Sequence, residues 1–132
     1  MRIPSILYQR EAYIERIKPF MRTNAVKVMI GHRRVGKSYI LYQLVNIIQN
    51  EEPDANIIYI NKEDLDFEFI TNYRELYEYV KQRLTPDRRN YIFVDEIQEI
   101  ADFRLAIRSL ALDDNNDIYI TGSNSEMFSS DL

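Results

Sequence analysis

Apolar residues recur along the chain in two patterns, which predict alternating strands and helices. Nearly continuous apolar runs, typical of strands buried on both faces, cover residues 25–30, 56–61, 91–94 and 118–120. Apolar residues at helical spacing predict helices over residues 9–21, 38–50, 71–84 and 101–112. This alternation favours an α/β fold with a parallel sheet covered on both faces.

Proline and asparagine mark the ends of two predicted helices. Pro19 predicts a kink or an end in the first helix, whose apolar face otherwise continues to Phe20. Asn72, with Glu75 three residues later, resembles a capping arrangement at the start of the third helix. Because no repeat, linker or low-complexity segment interrupts the pattern, we expect residues 1–132 to form one domain.

Two of the three glycines lie in one short segment between a predicted strand and a predicted helix. Residues 31–38 read Gly-His-Arg-Arg-Val-Gly-Lys-Ser, the spacing of a phosphate-binding loop. Glycine tolerates the positive φ values of such a loop, whose N–H groups and following helix dipole attract phosphate oxygens. A tight turn that binds nothing is the alternative, but it has no use for Lys37 and Ser38 at this spacing.

We predict that this loop and the first turn of its helix contact a bound nucleotide. The contacting residues would be Gly31, His32, Arg33, Arg34, Val35, Gly36, Lys37, Ser38 and Tyr39. Lys37 would neutralise the β- and γ-phosphates, and Ser38 would offer a hydroxyl to Mg²⁺. Arg33 and Arg34 either add positive potential or point to solvent.

Two adjacent carboxylates follow the third predicted strand. Asp95 and Glu96 stand at its carboxyl end, the end at which open parallel sheets bind ligands. In phosphate-loop NTPases an Asp at this point holds Mg²⁺, and a Glu after it suits the polarising of the attacking water. A solvated acidic strand end is the alternative.

Small polar residues follow the fourth predicted strand, in the order Thr121, Gly122, Ser123 and Asn124. One of them would hydrogen-bond the γ-phosphate or the attacking water, with Ser123 the first candidate and Thr121 the second. A capped strand-to-helix turn is the alternative.

The segment 61–64, Asn-Lys-Glu-Asp, spells the pattern with which GTPases bind guanine. It precedes the Asp95 strand instead of following it, and no glycine stands three residues after Asp95. We therefore interpret this segment as a polar strand end.

Composition narrows the possible partners. The net charge of −4 argues against a strong general nucleic-acid binder. The chain has no cysteine, which excludes disulfides and thiolate metal sites. No apolar run is long enough for a membrane span, and no signal-peptide core stands at the N-terminus, so we expect no membrane partner and a cytoplasmic location.

Three motifs together resemble the AAA-type ATPases of bacteria and archaea that carry a G-x-R-R-x-G-K-[ST] loop. They are residues 31–38, residues 94–98 (Val-Asp-Glu-Ile-Gln) and residues 120–124 (Ile-Thr-Gly-Ser-Asn). The resemblance begins near residue 8 and covers essentially the rest of the chain. It implies that the loop is Walker A, that Asp95 and Glu96 form Walker B, and that Ser123 holds the sensor-1 position. His32 replaces a proline common in the family, and we expect little effect.

The resemblance also implies a three-layer P-loop NTPase core with parallel strands in the order 2-3-4-1. It implies a further strand beside strand 1, an arginine finger and another domain, so we expect an N-terminal fragment of a longer protein. Strand 1 would then be an open edge that favours self-association, or cover by the first helix or a neighbour.

The leading functional hypothesis is binding and hydrolysis of ATP with Mg²⁺, driving or gating an attached domain or partner. Lys37, Glu96 and Ser123 would act in catalysis, while Ser38 and Asp95 would hold the metal. An oligomer would supply the arginine finger, so the fragment alone should be slow or inactive. A non-hydrolysing nucleotide switch is the main alternative. A small-molecule phosphoryl transferase is disfavoured, because residues 96–132 show no arginine-rich lid.

Overall fold

A computed structural model describes residues 5–31 and 36–123, with the backbone alone for residues 5–10. Within these ranges the elements are α1 (Ser5–Ile17), β1 (Lys27–Ile30), α2 (Lys37–Glu51), β2 (Asn56–Asn61), α3 (Tyr73–Lys81), β3 (Asn90–Asp95), α4 (Phe103–Leu110) and β4 (Asn116–Gly122). Short 3-10 helices cover Lys18–Phe20, Leu65–Phe67 and Ile97–Glu99.

The four strands form one parallel sheet in the order β1-β4-β3-β2, which confirms the predicted order and the α/β fold class. β4 lies between the phosphate-loop strand β1 and the acidic strand β3. The register pairs Ile30 with Gly122, Val94 with Ile120, and Asn61 with Asp95. The carboxyl ends of all four strands therefore meet at one edge of the sheet.

Helices cover both faces of this sheet and make three layers. One core packs α3 and α4 against strand residues such as Ile92 and Ile118. The other packs α1 and α2 against Phe93 and Tyr119. All residues of β3 and β4 are buried, as their nearly continuous apolar sequences predict.

Several helix ends differ from the sequence prediction. α1 ends at Ile17, and Pro19 lies in the 3-10 turn that follows. Phe20, which the spacing put on the same helix face as Ile14 and Ile17, lies in this 3-10 turn and is 55% exposed. α3 and α4 are each shorter than predicted. The cap of α3 is confirmed, because Asn72 Oδ1 accepts a hydrogen bond of 3.0 Å from the Glu75 amide.

An aromatic row crosses the sheet beneath α2. Tyr59, Phe93 and Tyr119 stand in register on β2, β3 and β4. Ring centroids are 5.9 Å apart for Tyr59 and Phe93 and 4.6 Å apart for Phe93 and Tyr119, and both pairs are stacked. Tyr42 of α2 stacks on Tyr59 at 5.2 Å, and Lys27 Nζ lies 5.2 Å from the Tyr119 centroid. These five side chains tie α2 to every strand.

A buried ion pair stands at the amino edge of the sheet. Lys27 Nζ contacts Asp117 Oδ1, and the two side chains are only 3% and 0% exposed. Asp117 also accepts hydrogen bonds from the Arg22 amide at 3.0 Å and the Tyr119 hydroxyl at 2.7 Å. Burial lowers the pKa of Lys27 and outweighs the opposing effect of Asp117. The pair joins the first residue of β1 to β4, and the Arg22 amide joins the segment before β1 to the same carboxylate.

Among the described strands, β1 pairs with β4 alone, so its other side is an edge of the sheet. In residues 5–31 and 36–123, every helix is too short or too polar to cross a bilayer.

Candidate functional site

The polar ends of three strands and the start of α2 converge at the carboxyl edge of the sheet. Gly31, directly after β1, donates a 3.2 Å hydrogen bond from its amide to the Gly122 carbonyl at the end of β4. Asp95 ends β3, with β4 as its neighbour, so the acidic pair lies beside Ser123. Residues far apart in sequence thus form one cluster.

Gly36 begins α2 in a conformation that favours glycine. Its φ of 70° and ψ of 47° lie in the left-handed region. No side chain caps the helix at this residue, and the first hydrogen bond of the helix runs from the Ile40 amide to the Gly36 carbonyl at 3.0 Å. First-turn amides of an α-helix have no partner inside the helix, so this end attracts an anion.

Lys37 is a buried cation at the centre of the cluster, with 3% of the residue exposed. Its Nζ donates hydrogen bonds of 2.9 Å to the Gly122 carbonyl and of 2.9 Å to Ser123 Oγ. It also forms an ion pair of 3.1 Å with Glu96 Oε1. These partners hold the ammonium between the ends of β3 and β4.

The Asp95 carboxylate is fully buried and receives one hydroxyl on each oxygen. Ser38 Oγ donates to Oδ2, and Thr121 Oγ1 donates to Oδ1. The backbone at this point is held as well, because the Lys62 amide donates a 3.2 Å hydrogen bond to the Asp95 carbonyl. Ser38 and Asp95, the predicted metal ligands, are therefore in direct contact.

Glu96 occupies the left-handed region without being glycine, at φ 57° and ψ 53°. A single residue in this conformation carries a steric cost of about 1–2 kcal/mol. The Glu96 amide donates a 2.9 Å hydrogen bond to Thr121 Oγ1, which compensates part of that cost. The turn leads the chain into the 3-10 helix Ile97–Glu99, while the Glu96 carboxylate faces Lys37.

Three donors converge on the Glu96 carboxylate. Ser123 Oγ lies 2.8 Å from Oε2, Gln98 Nε2 also donates to Oε2, and Lys37 pairs with Oε1. Burial acts to raise the pKa of Glu96, but hydrogen bonds from Gln98, Ser123 and Lys37, together with the Lys37 charge, outweigh it and lower the pKa. Glu96 is therefore held as a carboxylate.

The donor set fits a magnesium nucleotide. Ser38 and Asp95 offer one hydroxyl and one carboxylate, the oxygen ligands that suit Mg²⁺. In the described part of the chain, no three His, Cys, Asp or Glu side chains form a protein metal cage. Mg²⁺ commonly takes one or two protein oxygens and completes its shell with phosphates and water. Lys37 would supply the cation that such phosphates need.

The structure brings most of the predicted site residues together. Those that meet in the cluster are Gly31, Gly36, Lys37, Ser38, Asp95, Glu96 and Ser123. Tyr39 lies in the first turn of α2 with its side chain half exposed. His32, Arg33, Arg34, Val35 and Asn124 lie outside the described residues.

Two polar residues have contacts that the sequence did not indicate. Thr121 is fully buried, and its hydroxyl is engaged by Asp95 and by the Glu96 amide. Gln98 donates to Glu96, and no bond to its side-chain oxygen is found within the described residues. In the sequence, the only indication of this contact is that Gln98 stands two residues after Glu96.

The segment 61–64 is a polar strand end, as interpreted. The Asp64 amide donates to the Asn61 carbonyl at 2.9 Å, and Asn61 Oδ1 accepts from the Glu63 amide at 3.0 Å. The turn satisfies its own polar groups. Beside it, a solvent-open cleft of about 640 Å³ extends from Glu96 past Thr71.

Known proteins share sequence similarity with this chain. An uncharacterized protein of Haemophilus influenzae is 29% identical over 128 residues, which are 96% of this chain and 32% of that protein. An uncharacterized protein of Methanocaldococcus jannaschii is 36% identical over 111 residues, which are 83% of this chain and 23% of that protein. The chain thus spans a third or less of the length of these relatives.

A solved structure of Drosophila ORC bound to AT-rich DNA and Cdc6 contains a similar fold. The TM-score is 0.52 at 10% identity, covering 91% of this chain and 48% of that one. At this identity the likeness concerns the fold alone. The sequence model of a family described as AAA domain matches residues 23–132. Since that match spans most of the length of this chain, the chain belongs to the AAA domain family.

Proposed function

We propose that this AAA module binds and hydrolyses ATP with Mg²⁺ and so drives or gates an attached domain or partner. The observation that carries the proposal is the position of Lys37 Nζ. It lies between Glu96 and Ser123, at the start of a helix whose Ser38 touches Asp95. Each part of a phosphoryl-transfer site is thereby within reach of the others.

Each residue has a role in this proposal. The loop from Gly31 to Tyr39 would cradle the triphosphate as a Walker A motif, and Lys37 would neutralise the β- and γ-phosphates. Ser38 and Asp95 would hold Mg²⁺, which supplies charge neutralisation between the phosphates. Glu96 would accept a hydrogen bond from the attacking water, and Ser123 would orient that water or the γ-phosphate as sensor-1.

The internal pairing of the site suggests an order of events. The Lys37 ammonium is paired with Glu96. Phosphate oxygens would compete with Glu96 for this cation. When they take Lys37, the Glu96 carboxylate loses one of its three partners and becomes available to water. Binding would in this way prepare the base for hydrolysis.

The alternative, a switch that binds a nucleotide without hydrolysing it, is favoured by one observation. Gln98 and Ser123 would still hold Glu96 after Lys37 has moved to the phosphates. A carboxylate kept by two donors would be a poor base. Single-turnover release of phosphate from the longer protein separates the two functions.

The attached domain and the arginine finger would come from outside this chain. The curated relatives are about three to four times as long, which supports an attached domain. We propose that a second copy supplies an arginine finger, and that the module alone is slow because such an arginine contributes about 10³-fold or more. Nucleic acid has no part in the proposal, since the chain carries a net charge of −4.

Calorimetric titration with MgATP tests the proposal. Lys37→Ala should abolish binding, because it removes the buried cation of the site. Lys62→Ala is the matched control, since Lys62 follows β2 at the same edge of the sheet and its Nζ donates to the Phe67 carbonyl instead. Equal affinity in Lys37→Ala and in the wild type would contradict the assignment of the loop.

A further inference from the structure

We propose that Thr121 is a positioning residue, whose one hydroxyl sets the geometry of both carboxylates of the site. The part of this inference that concerns Mg²⁺ rests on the proposed function; the part that concerns the backbone does not. Nothing in the motif spacing assigns this role to Thr121, because the hydroxyl reaches its partners across neighbouring strands.

The register brings Thr121 to its place. Ile120 of β4 pairs with Val94 of β3, so Thr121 and Asp95 are the next residues along these parallel strands. Thr121 is 0% exposed, and so is Asp95. A polar side chain buried to this extent must find partners within the protein, and both partners of Thr121 belong to the acidic pair.

A threonine hydroxyl has one proton to donate and lone pairs to accept, and both capacities are used. Thr121 Oγ1 donates to Asp95 Oδ1 and accepts from the Glu96 amide at 2.9 Å. The first bond fixes the carboxylate so that its other oxygen, Oδ2, faces Ser38. Thr121 therefore orients the oxygen that would bind the metal.

The second bond acts on the backbone. Glu96 has left-handed φ and ψ values, which a non-glycine residue keeps only when its surroundings hold it there. The Glu96 amide is bound by Thr121 Oγ1, a side-chain acceptor, at the residue where the chain turns. Releasing this amide would let Glu96 relax toward the common φ region and move its carboxylate away from Lys37.

The test compares Thr121→Val, which keeps the shape and deletes the hydroxyl, with Thr121→Ser, which keeps the hydroxyl. Amide hydrogen exchange measured by NMR reports the Glu96 N–H without any nucleotide. We expect protection of this amide in the wild type and in Thr121→Ser, and its loss in Thr121→Val. An unprotected Glu96 amide in the wild type overturns the inference even if Thr121→Val does not fold.

The second readout is the dependence of ATP binding on Mg²⁺. Partners that orient a metal ligand typically contribute about 10–100-fold to metal affinity. We expect Thr121→Val to need more Mg²⁺ by that factor, with no loss of affinity for ATP in EDTA, and Thr121→Ser to restore the wild-type requirement. Thr85→Val is the matched control, because its hydroxyl bonds Asn90 at the opposite edge of the sheet.

The outcomes separate this inference from the proposed function. If Thr121→Val lowers binding equally with and without Mg²⁺, the residue is merely structural and the inference fails. If the Glu96 amide stays protected from exchange in Thr121→Val, the inference also fails, regardless of the ATP-binding results. If the wild type binds no ATP while the exchange results hold, the proposed function fails and the positioning of Glu96 stands.

Discussion

Replacing Glu96 with glutamine should strengthen ATP binding while it slows turnover. The reason is the 3.1 Å ion pair that Lys37 makes with Glu96. In the proposed function ATP would have to displace Glu96 from Lys37, so part of its binding free energy would be used to break this pair. Glu96→Gln keeps the size of the side chain and removes the charge.

The magnitude follows from the distance. Two unit charges 3.1 Å apart attract by about 5 kcal/mol at an effective dielectric constant of 20. The glutamine oxygen still accepts a hydrogen bond, and Lys37 keeps the Gly122 carbonyl and Ser123 Oγ. We therefore expect Glu96→Gln to weaken the interaction with Lys37 by only about 1–3 kcal/mol, as for a weakened buried polar contact. ATP affinity should rise by about 5- to 150-fold, since about 1.4 kcal/mol is tenfold.

Three measurements on Glu96→Gln check this reasoning. Calorimetry should show tighter MgATP binding, urea unfolding should show lower stability of the free chain, and phosphate release should fall by about 10²–10⁴, the contribution of a general base. Glu99→Gln is the control, because Glu99 is exposed and ends the 3-10 helix that follows Glu96. Unchanged stability together with unchanged or weaker ATP affinity would refute the ion-pair argument.

Two further predictions concern stability. Lys27→Met should lower the free energy of unfolding by about 3–5 kcal/mol in urea titrations, because it leaves the fully buried Asp117 carboxylate without its cation; a loss below about 1 kcal/mol would contradict it. Folding lowers the pKa of Glu96, so the charged carboxylate stabilises the folded state. This contribution to the free energy of unfolding is fully present above the pKa that Glu96 has in the unfolded chain. Stability measured across acidic pH should therefore fall as the pH drops below about 4.5, and less steeply in Glu96→Gln. Parallel curves of stability against pH for the wild type and Glu96→Gln would show that Glu96 does not cause the loss of stability at acidic pH.

The sequence predicted the parts of the site that depend on local rules. Strand, glycine loop and helix are consecutive in the chain, so the spacing of Gly31, Gly36 and Lys37 placed the loop at the edge of the sheet. Asp95 and Glu96 followed from the end of one buried strand. The order of the strands came from family resemblance, because hydrophobic periodicity does not say which parallel strands are neighbours.

The bonds within the site could not be predicted in the same way. The contacts of Thr121 exist because β4 lies between β1 and β3, which is a property of the whole sheet. The left-handed conformation of Glu96 has no signal in residue type, since glutamate rarely adopts it. Phe20 was misplaced because the helical pattern continued in the sequence after Pro19 had ended the helix.

The aromatic row beneath α2 gives the protein an optical signal of its own. The chain has no tryptophan and ten tyrosines, so the near-ultraviolet circular dichroism comes from tyrosine and phenylalanine rings. Stacked rings at 4.6–5.9 Å couple their transitions, and the row ends at Tyr42 on the helix that carries Lys37. Any tilt of that helix would change the stacking of Tyr42 on Tyr59, so movement at the loop can be followed by spectroscopy without a label.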